Sequence, residues 1–319
     1  MTNPPPPRIA RRTVPGTPVT LSVVSVSLDP PAVAPPAADA RSVALLRRAR
    51  EVGVTTFDVA RARFPARAER LIATAFPSSD PDLVVIVGRS IESLAAERGP
   101  TDEPGHGGSL AEALQSSLEQ SRRRLAPVPL SVLEWDMGNG GGTTGGDAHP
   151  WALLVPDTYR PPLIRALRVR PELSALPTLP DSAQLYSGEF SLLDEGVAPL
   201  FDSGPPRPEA GLIAHNPFGD GRLDGTRFAA RSVPGEPGQG PVDVRRLHAE
   251  FDPVLRLGFL TEDRRRTLAQ AALHFVLRWP WVATCVIPLP APERFDEILG
   301  YGSTPPLTDE ELTRLSRVK

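Results

Sequence analysis

The sequence predicts a single α/β domain, residues 1–319, folded as a closed (β/α)8 barrel. Segments with strand-like and helix-like apolar spacing alternate from end to end, as expected for repeated strand-helix units with parallel strands. An open doubly wound sheet shows the same alternation, but no G-x-G-x-x-G fingerprint follows the first strand. The barrel is therefore the favoured architecture, and a chain of this length is within its usual range.

The elements of the N-terminal third are well marked. Residues 19–28 alternate in the manner of a strand, and Gly53 ends a helix before a second strand at 54–59. A helix near 71–76 precedes the unbroken apolar run at 83–87, which is typical of a strand buried on both faces. Two strand-helix units and a third strand are therefore predicted here.

Downstream, strands are predicted at 130–135 and 281–287, and three capping-box pairs mark helix starts. These pairs are Ser109 with Glu112, Thr267 with Gln270, and Thr308 with Glu311. From 138 to about 240 proline and glycine interrupt the pattern, and individual elements are not resolved. The glycine-rich stretch at 138–150 and the terminal residues 1–7 are predicted to be flexible.

Composition excludes several classes of protein. A net charge of -3 with 23% charged residues disfavours a disordered chain or a nucleic-acid binder. Cys285 is the only cysteine and Lys319 the only lysine, so a disulfide, a Cys-rich metal site and a lysine Schiff base are excluded. Residues 19–28 follow several arginines as in a signal peptide, but their alternation favours a strand. No membrane span, no metal site and a cytoplasmic location are predicted.

Five segments, in chain order, resemble the aldo-keto reductase family. They are RIARRTVPGTPVTLSVVSVSL (8–28), RSVALLRRAREVGVTTFDVA (41–60), SLEQSRRRLAPVPLSVLEWD (117–136), HNPFGDGRLDG (215–225) and residues 267–299. The resemblance covers nearly the whole chain. It implies an N-terminal β-hairpin before the first barrel strand, and a mouth where family members reduce carbonyls with NADPH.

That family uses a catalytic tetrad of Asp, Tyr, Lys and His. By this resemblance, the sequence keeps only the aspartate of the four. The motif D-T-A-x-x-Y-G-x-x-x-S-E aligns with 58–69, where Asp58 matches and Arg63 stands at the tyrosine. The lysine position is Gly88 or its neighbour Arg89, and the histidine position is Asp136. An arginine is a poor proton shuttle because its pKa lies above about 12. Carbonyl reduction is therefore predicted to be lost.

The resemblance also indicates a weakened cofactor site. Leu289 stands where the family has a basic group for the 2'-phosphate, Ile298 replaces an asparagine, and His215 stands at the tyrosine that stacks on nicotinamide. The positions left to contact NADP(H) are Asn216, Phe218 and Leu289. No cofactor is predicted, with NADP(H) expected only if the family function is retained.

At the mouth of such a barrel, Asp58, Arg63, Asp136 and His215 are the predicted catalytic residues. Glu134 shares strand parity with Asp136, so it is expected to point inward and to satisfy a buried arginine. Asp58 with His215 could transfer protons, which predicts non-redox acid-base chemistry on a small organic ligand. The alternatives are an NADPH-dependent reductase with an atypical site, a silent binding or scaffold protein, and an ion-pair network in which Arg63 and Arg89 only neutralise Asp58 and Asp136.

Overall fold

The computed structural model describes residues 8–98, 110–136, 163–168, 183–198, 201, 210–227 and 244–318. The segments predicted to be flexible, 1–7 and 138–150, lie outside the described residues, as does Ser109 of the first capping box. Among the helices that are described, none is both long enough and apolar enough to cross a bilayer.

Eight parallel strands close into a barrel, which confirms the predicted architecture. They run in the order β3 (Val24–Ser27), β4 (Thr56–Asp58), β5 (Val84–Ser90), β6 (Leu130–Asp136), β7 (Ile164–Arg168), β8 (Leu185–Glu189), β9 (Gly211–His215) and β10 (Val282–Pro288). Strand β10 pairs with β3 and completes the ring. Strands β7, β8 and β9 lie in the part of the chain where the sequence pattern resolved no elements.

The N-terminal hairpin is also present. Strand β1 (Arg11–Thr13) pairs antiparallel with β2 (Thr20–Ser22). Val14 and Leu21 of the hairpin are fully buried among the apolar side chains of the barrel interior, so the hairpin closes the end opposite the strand C-termini. The single strand predicted at 19–28 is thus two strands, β2 and β3, separated at Val23 where the chain leaves the hairpin for the barrel.

The described helices surround the barrel. They are α1 (Pro36–Glu51), α2 (Pro65–Ala75), α3 (Ile91–Arg98), α4 (Leu110–Leu125), α5 (Val244–Arg256), α6 (Leu268–Leu277), α7 (Phe295–Leu299) and α8 (Asp309–Val318). Thr267 and Gln270 form the predicted reciprocal cap of α6. Thr308 and Glu311 do the same for α8. Each pair satisfies backbone N–H groups that the first turn of a helix leaves free.

Arg12 ties the hairpin to the end of α6. Its guanidinium donates to the carbonyl oxygens of Leu277 at 2.8 Å and Trp279 at 2.9 Å, and to that of Val282. The carbonyls of Leu277 and Trp279 lie at or just beyond the helix C-terminus, where backbone acceptors lack helical partners and a cation is favoured, and Val282 is the first residue of β10. Arg12 therefore holds the closed end of the barrel against its outer layer.

The side chain of Arg89, a residue of β5, points outward from the barrel toward α4 and not into the mouth. Its Nε donates to Ser117 Oγ at 2.6 Å, and Nη2 reaches Ser121 Oγ on the same helix, α4. Ser121 Oγ in turn donates to Glu69 Oε1 at 2.6 Å, and Arg124 pairs with the same carboxylate. Arg89 therefore belongs to a buried polar network between β5, α2 and α4, because strand alternation turns residue 89 away from the barrel interior.

Candidate functional site

Three strand ends bring Asp58, Glu134 and His215 together at the mouth of the barrel. The side chains of β4, β6 and β9 alternate between interior and exterior, and these residues fall on interior positions at or near the C-terminal end of each strand. Their exposed fractions are 1%, 2% and 4%. The predicted inward direction of Glu134 agrees with these contacts.

One nitrogen of His215 lies between the two carboxylates. Its Nε2 is 3.3 Å from Glu134 Oε2 and 3.8 Å from Asp58 Oδ2. Asp58 Oδ1 accepts the N–H of Ala60 at 2.7 Å, whereas Asp58 Oδ2 is buried with no hydrogen-bond partner among the described residues. A buried acceptor without a partner costs free energy, so Oδ2 is left in need of a donor.

The environment separates the acidities of the two carboxyl groups. Burial raises the pKa of Asp58, the charge of Glu134 adds to the rise, and His215, the Ala60 N–H and Arg61 only partly oppose it. Burial also acts to raise the pKa of Glu134, but its hydrogen bond to His215 and the charges of His215 and Arg61 outweigh that effect. The pKa of Glu134 lies below its usual range. Neighbouring carboxyl groups with separated pKa values are typical of acid-base sites.

Among the arginines that the structure describes, Arg61 is the one that pairs with this cluster. Its Nε is 3.8 Å from Glu134 Oε1 and has no hydrogen-bond partner within the described part of the chain. Burial lowers the pKa of the Arg61 guanidinium, although the carboxylates of Glu134 and Asp58 favour its charge. Sequence reasoning missed Arg61 because it stands at an unspecified position of the family motif. The signal that could have found it is its place three residues after Asp58.

The other predicted catalytic residues lie apart from this cluster. Arg63 forms an ion pair with Asp29 at 3.0 Å, and its side chain is 71% exposed. Asp136 pairs with Arg168 at 2.6 Å across β6 and β7. The structure thus brings Asp58 and His215 together with Glu134 and Arg61, while Arg63 faces the surface and Asp136 joins a pair further along β6.

Gly88 leaves β5 without a side chain beside Glu134 at the mouth. A Cβ atom on Gly88 would lie 2.2 Å from the carbonyl oxygen of Ala60, closer than any real contact. Gly88 is paired in register with Glu134, so of the two positions that the resemblance allows for the lysine, Gly88 is the interior one. The backbone after β4 has taken the space that a side chain at this position would need.

A pocket of about 330 Å³ adjoins His215. Arg61 lines one part of it, and the loop after β9 contributes most of the rest, including Asn216, Asp220 and Asp224. Asn216 has φ 55° and Asp220 has φ 57°, a left-handed region that Asn and Asp tolerate better than most residues. Their side chains fix the loop, since Asn216 Nδ2 donates to Asp220 Oδ1 at 3.0 Å and Asp220 N donates to Asn216 Oδ1 at 2.7 Å.

A solved structure shares this fold. Aldo-keto reductase AKR11C1 from Bacillus halodurans, in its holo form, superposes with a TM-score of 0.63 and 15% sequence identity, over 98% of this chain and 96% of that one. This chain has the aldo-keto reductase fold. No family model matches the sequence, and no curated protein matches it. The likeness at this identity establishes architecture, so function has to be argued from the mouth itself.

The residues after β10 do not fit the 2'-phosphate of the NADP(H) that this fold family implies. Leu289 offers no charge and Ile298 is only 3% exposed within the core, whereas Phe218 lines the pocket beside His215. Arg294 donates to Glu297 Oε1 at 2.9 Å and to the carbonyl oxygen of Asp224 at 2.6 Å. The basic groups that a phosphate needs are thus absent or already paired among the described residues 289–298 that follow β10.

Proposed function

We propose that the mouth of this barrel transfers protons on a small organic molecule without a nicotinamide cofactor. The observation that carries the proposal is the arrangement of two buried carboxyl groups around one histidine nitrogen, with Asp58 Oδ2 left unpartnered. A proton can move between Oδ2, the histidine and a bound ligand over these distances with small adjustments. The separated pKa values of the two carboxyl groups support the same assignment.

Each residue then has a distinct role. Asp58 accepts or returns the substrate proton at Oδ2. Glu134 remains an anion and orients His215 through the 3.3 Å contact, as a carboxylate orients imidazole in many acid-base sites. Arg61 lines the pocket and stabilises negative charge that develops on a substrate oxygen.

The simplest reaction of this kind is proton transfer next to a carbonyl group. Asp58 removes a proton from carbon, and the C–H electrons form the enolate C=C bond. The π electrons of the C=O bond move onto the oxygen, which faces Arg61. The proton returns to the same or the adjacent atom. No electrons are gained or lost, so no oxidant, reductant or cofactor is required.

The test is hydrogen exchange into small hydroxyketones in D₂O, followed by NMR without NADPH. We expect the unmodified protein to exchange protons next to the carbonyl, and Asp58→Asn to reduce the rate by about 100-fold or more, as for loss of a general base. Arg63→Ala is the matched control, because Arg63 forms an exposed pair with Asp29, and it should exchange normally. Equal rates for Asp58→Asn and the unmodified protein would refute the proposed role.

An NADPH-dependent reductase with an atypical site is the second candidate, favoured by the likeness to an aldo-keto reductase in its holo form. Titrating NADPH while following tryptophan fluorescence separates the two. Our proposal expects no saturable quenching at micromolar NADPH. Saturable binding accompanied by aldehyde-dependent NADPH oxidation would support the reductase instead. A protein that shows neither exchange nor oxidation would support a binding or scaffold role.

A further inference from the structure

A groove of about 520 Å³ runs between helices α1 and α2 in the outer layer of the barrel. Residues of α1 between Asp39 and Arg47 line one side, and residues of α2 between Arg67 and Thr74 line the other. At a rise of 1.5 Å per residue, the lined part of α1 is about 12 Å long. The groove therefore has the length of roughly two turns of an added helix.

The middle of this groove is apolar. Val43 and Leu71, which face each other from the two helices, are buried and form its floor. Ala40 and Ala44 also line it, one turn apart on α1, and both are exposed. Because alanine side chains are short, the backbone of another helix can approach α1 closely along this face.

The charged side chains that line the groove carry a positive balance. They are the guanidiniums of Arg47, Arg67 and Arg70 and one carboxylate, that of Asp39. Asp39 is neutralised by Arg67 at 2.6 Å. Arg47 donates to two backbone carbonyl oxygens at the end of α2, which leave its charge unbalanced. Arg70 pairs with no carboxylate within the part of the chain that the structure describes.

The other acidic residues of the two helices do not offset this charge. They are Glu51, at the last position of α1, and Glu69 on α2. Glu69 is fully buried and pairs with Arg124 of α4, and neither residue lines the groove. The chain as a whole has a net charge of -3. The groove is therefore locally positive on a protein of negative net charge, which is complementary to an acidic partner.

We propose that this groove binds an acidic amphipathic helix of a partner protein. Apolar side chains at helical spacing on the partner lie over Val43 and Leu71, and its carboxylates face Arg47 and Arg70. These two arginines stand on opposite sides of the groove, which suits carboxylates spaced along an elongated partner better than one small anion. The surface is separate from the mouth of the barrel, so the inference does not depend on the proposed function.

Selection from a phage-displayed library of random peptides against the intact protein tests this partner. The enriched peptides are synthesised with a fluorescent label, and their dissociation constants are measured by fluorescence anisotropy. We expect acidic peptides with apolar residues at helical spacing, micromolar dissociation constants, and weaker binding as the salt concentration rises. Enrichment of neutral or basic peptides, or of none, would overturn the proposal.

Two variants test whether the peptides bind in the groove. Arg70→Gln removes one of its charges, and Ala44→Tyr places a ring over its floor, so each should weaken binding of the enriched peptides by about tenfold or more. The controls are Arg41→Gln and Ala38→Tyr, on α1 outside the lining, and both should bind normally. All four positions are exposed. Unchanged binding by Arg70→Gln and Ala44→Tyr, or equal weakening in the controls, would refute the assignment.

Two other occupants of the groove give distinct results. Self-association in sedimentation velocity that Ala44→Tyr abolishes would assign the groove to a second copy of this chain. Co-sedimentation with vesicles of phosphatidylcholine and phosphatidylserine that Arg70→Gln abolishes would assign it to a membrane surface. Either result would overturn the proposal. A protein that stays monomeric, does not bind the vesicles and binds the acidic peptides through Arg70 would support it.

Discussion

The two ends of the barrel interior are built by the same strands with the same alternation, but their chemistry differs. At the closed end, interior positions are aliphatic, including Val84, Ile86, Val132 and Ile213, and they pack with the hairpin. Two residues further along β6 and β9, the interior positions are Glu134 and His215. The comparison shows that an interior residue of a barrel strand packs in the core near the closed end and takes part in the candidate site near the C-terminal end of the same strand.

The energetic consequences of the two ends are opposite. Burial of aliphatic groups at the closed end stabilises the fold by roughly 25 cal/mol for each Å² removed from water. At the mouth, burying Asp58 with an unpartnered oxygen costs stability. The closed end therefore offsets the cost of the mouth, and substitutions at the two ends should have effects of opposite sign.

The largest effect is expected at the closed end. Ile86 is fully buried in the barrel interior, so Ile86→Ala should lower the free energy of unfolding by about 2–5 kcal/mol through lost burial and a residual cavity. Urea unfolding followed by circular dichroism measures it. Ile91→Ala is the control, because that side chain is 48% exposed and should change stability by less than about 0.5 kcal/mol. Equal losses would show that the interior is not the packed core described above.

An intermediate effect is expected at Gly88, which lies level with Glu134 but has no room for a side chain. Gly88→Ala should cost about 1–3 kcal/mol, because its Cβ would overlap the Ala60 carbonyl oxygen. The control Gly258→Ala has no atom within 4 Å of the added Cβ and should be nearly neutral. Gly88→Lys should be at least as destabilising as Gly88→Ala. A stable Gly88→Lys variant that gains NADPH-dependent reduction would show that the mouth can still accept a lysine.

The smallest effect, with the opposite sign, is expected at the mouth. Burial raises the pKa of Asp58 in the folded state, so this carboxyl group ionises at a lower pH in the unfolded chain than in the folded protein. Above the unfolded pKa of about 3.9, Asp58 therefore lowers the stability of the fold. Asp58→Asn should therefore raise the free energy of unfolding at pH 7 by about 0.5–2 kcal/mol. This gain should disappear as the pH falls below that unfolded value.

Urea unfolding over a pH series measures this dependence. Asp263→Asn provides a control of opposite sign, since hydrogen bonds from the backbone and side chain of Arg265 hold the pKa of Asp263 below its usual range. The ionised Asp263 carboxylate therefore adds to the stability of the fold as the pH rises, and Asp263→Asn should remove this added stability. A less stable Asp58→Asn protein at pH 7 would show that the Asp58 carboxylate is held by favourable contacts.

The barrel itself could be predicted from the sequence because its evidence is local. Apolar spacing marked the strands that became β4, β5, β6 and β10, and capping-box pairs marked the starts of α6 and α8. The resemblance added the hairpin. Strands β7, β8 and β9 could not be predicted because long proline- and glycine-rich segments separate them, and their pairing depends on neighbours distant in sequence.

The sequence by itself thus determined the class of fold, and the resemblance that it carries predicted which residues stand at the positions of the family aspartate, tyrosine, lysine and histidine. Only the tertiary structure decided which charged residues meet. It placed Glu134 and Arg61 beside His215, turned Arg63 to the surface and Arg89 behind β5, and filled the space at Gly88 with the Ala60 carbonyl. The physical reason is that composition and periodicity record burial along one element, whereas contacts at a barrel mouth depend on the register and closure of eight strands.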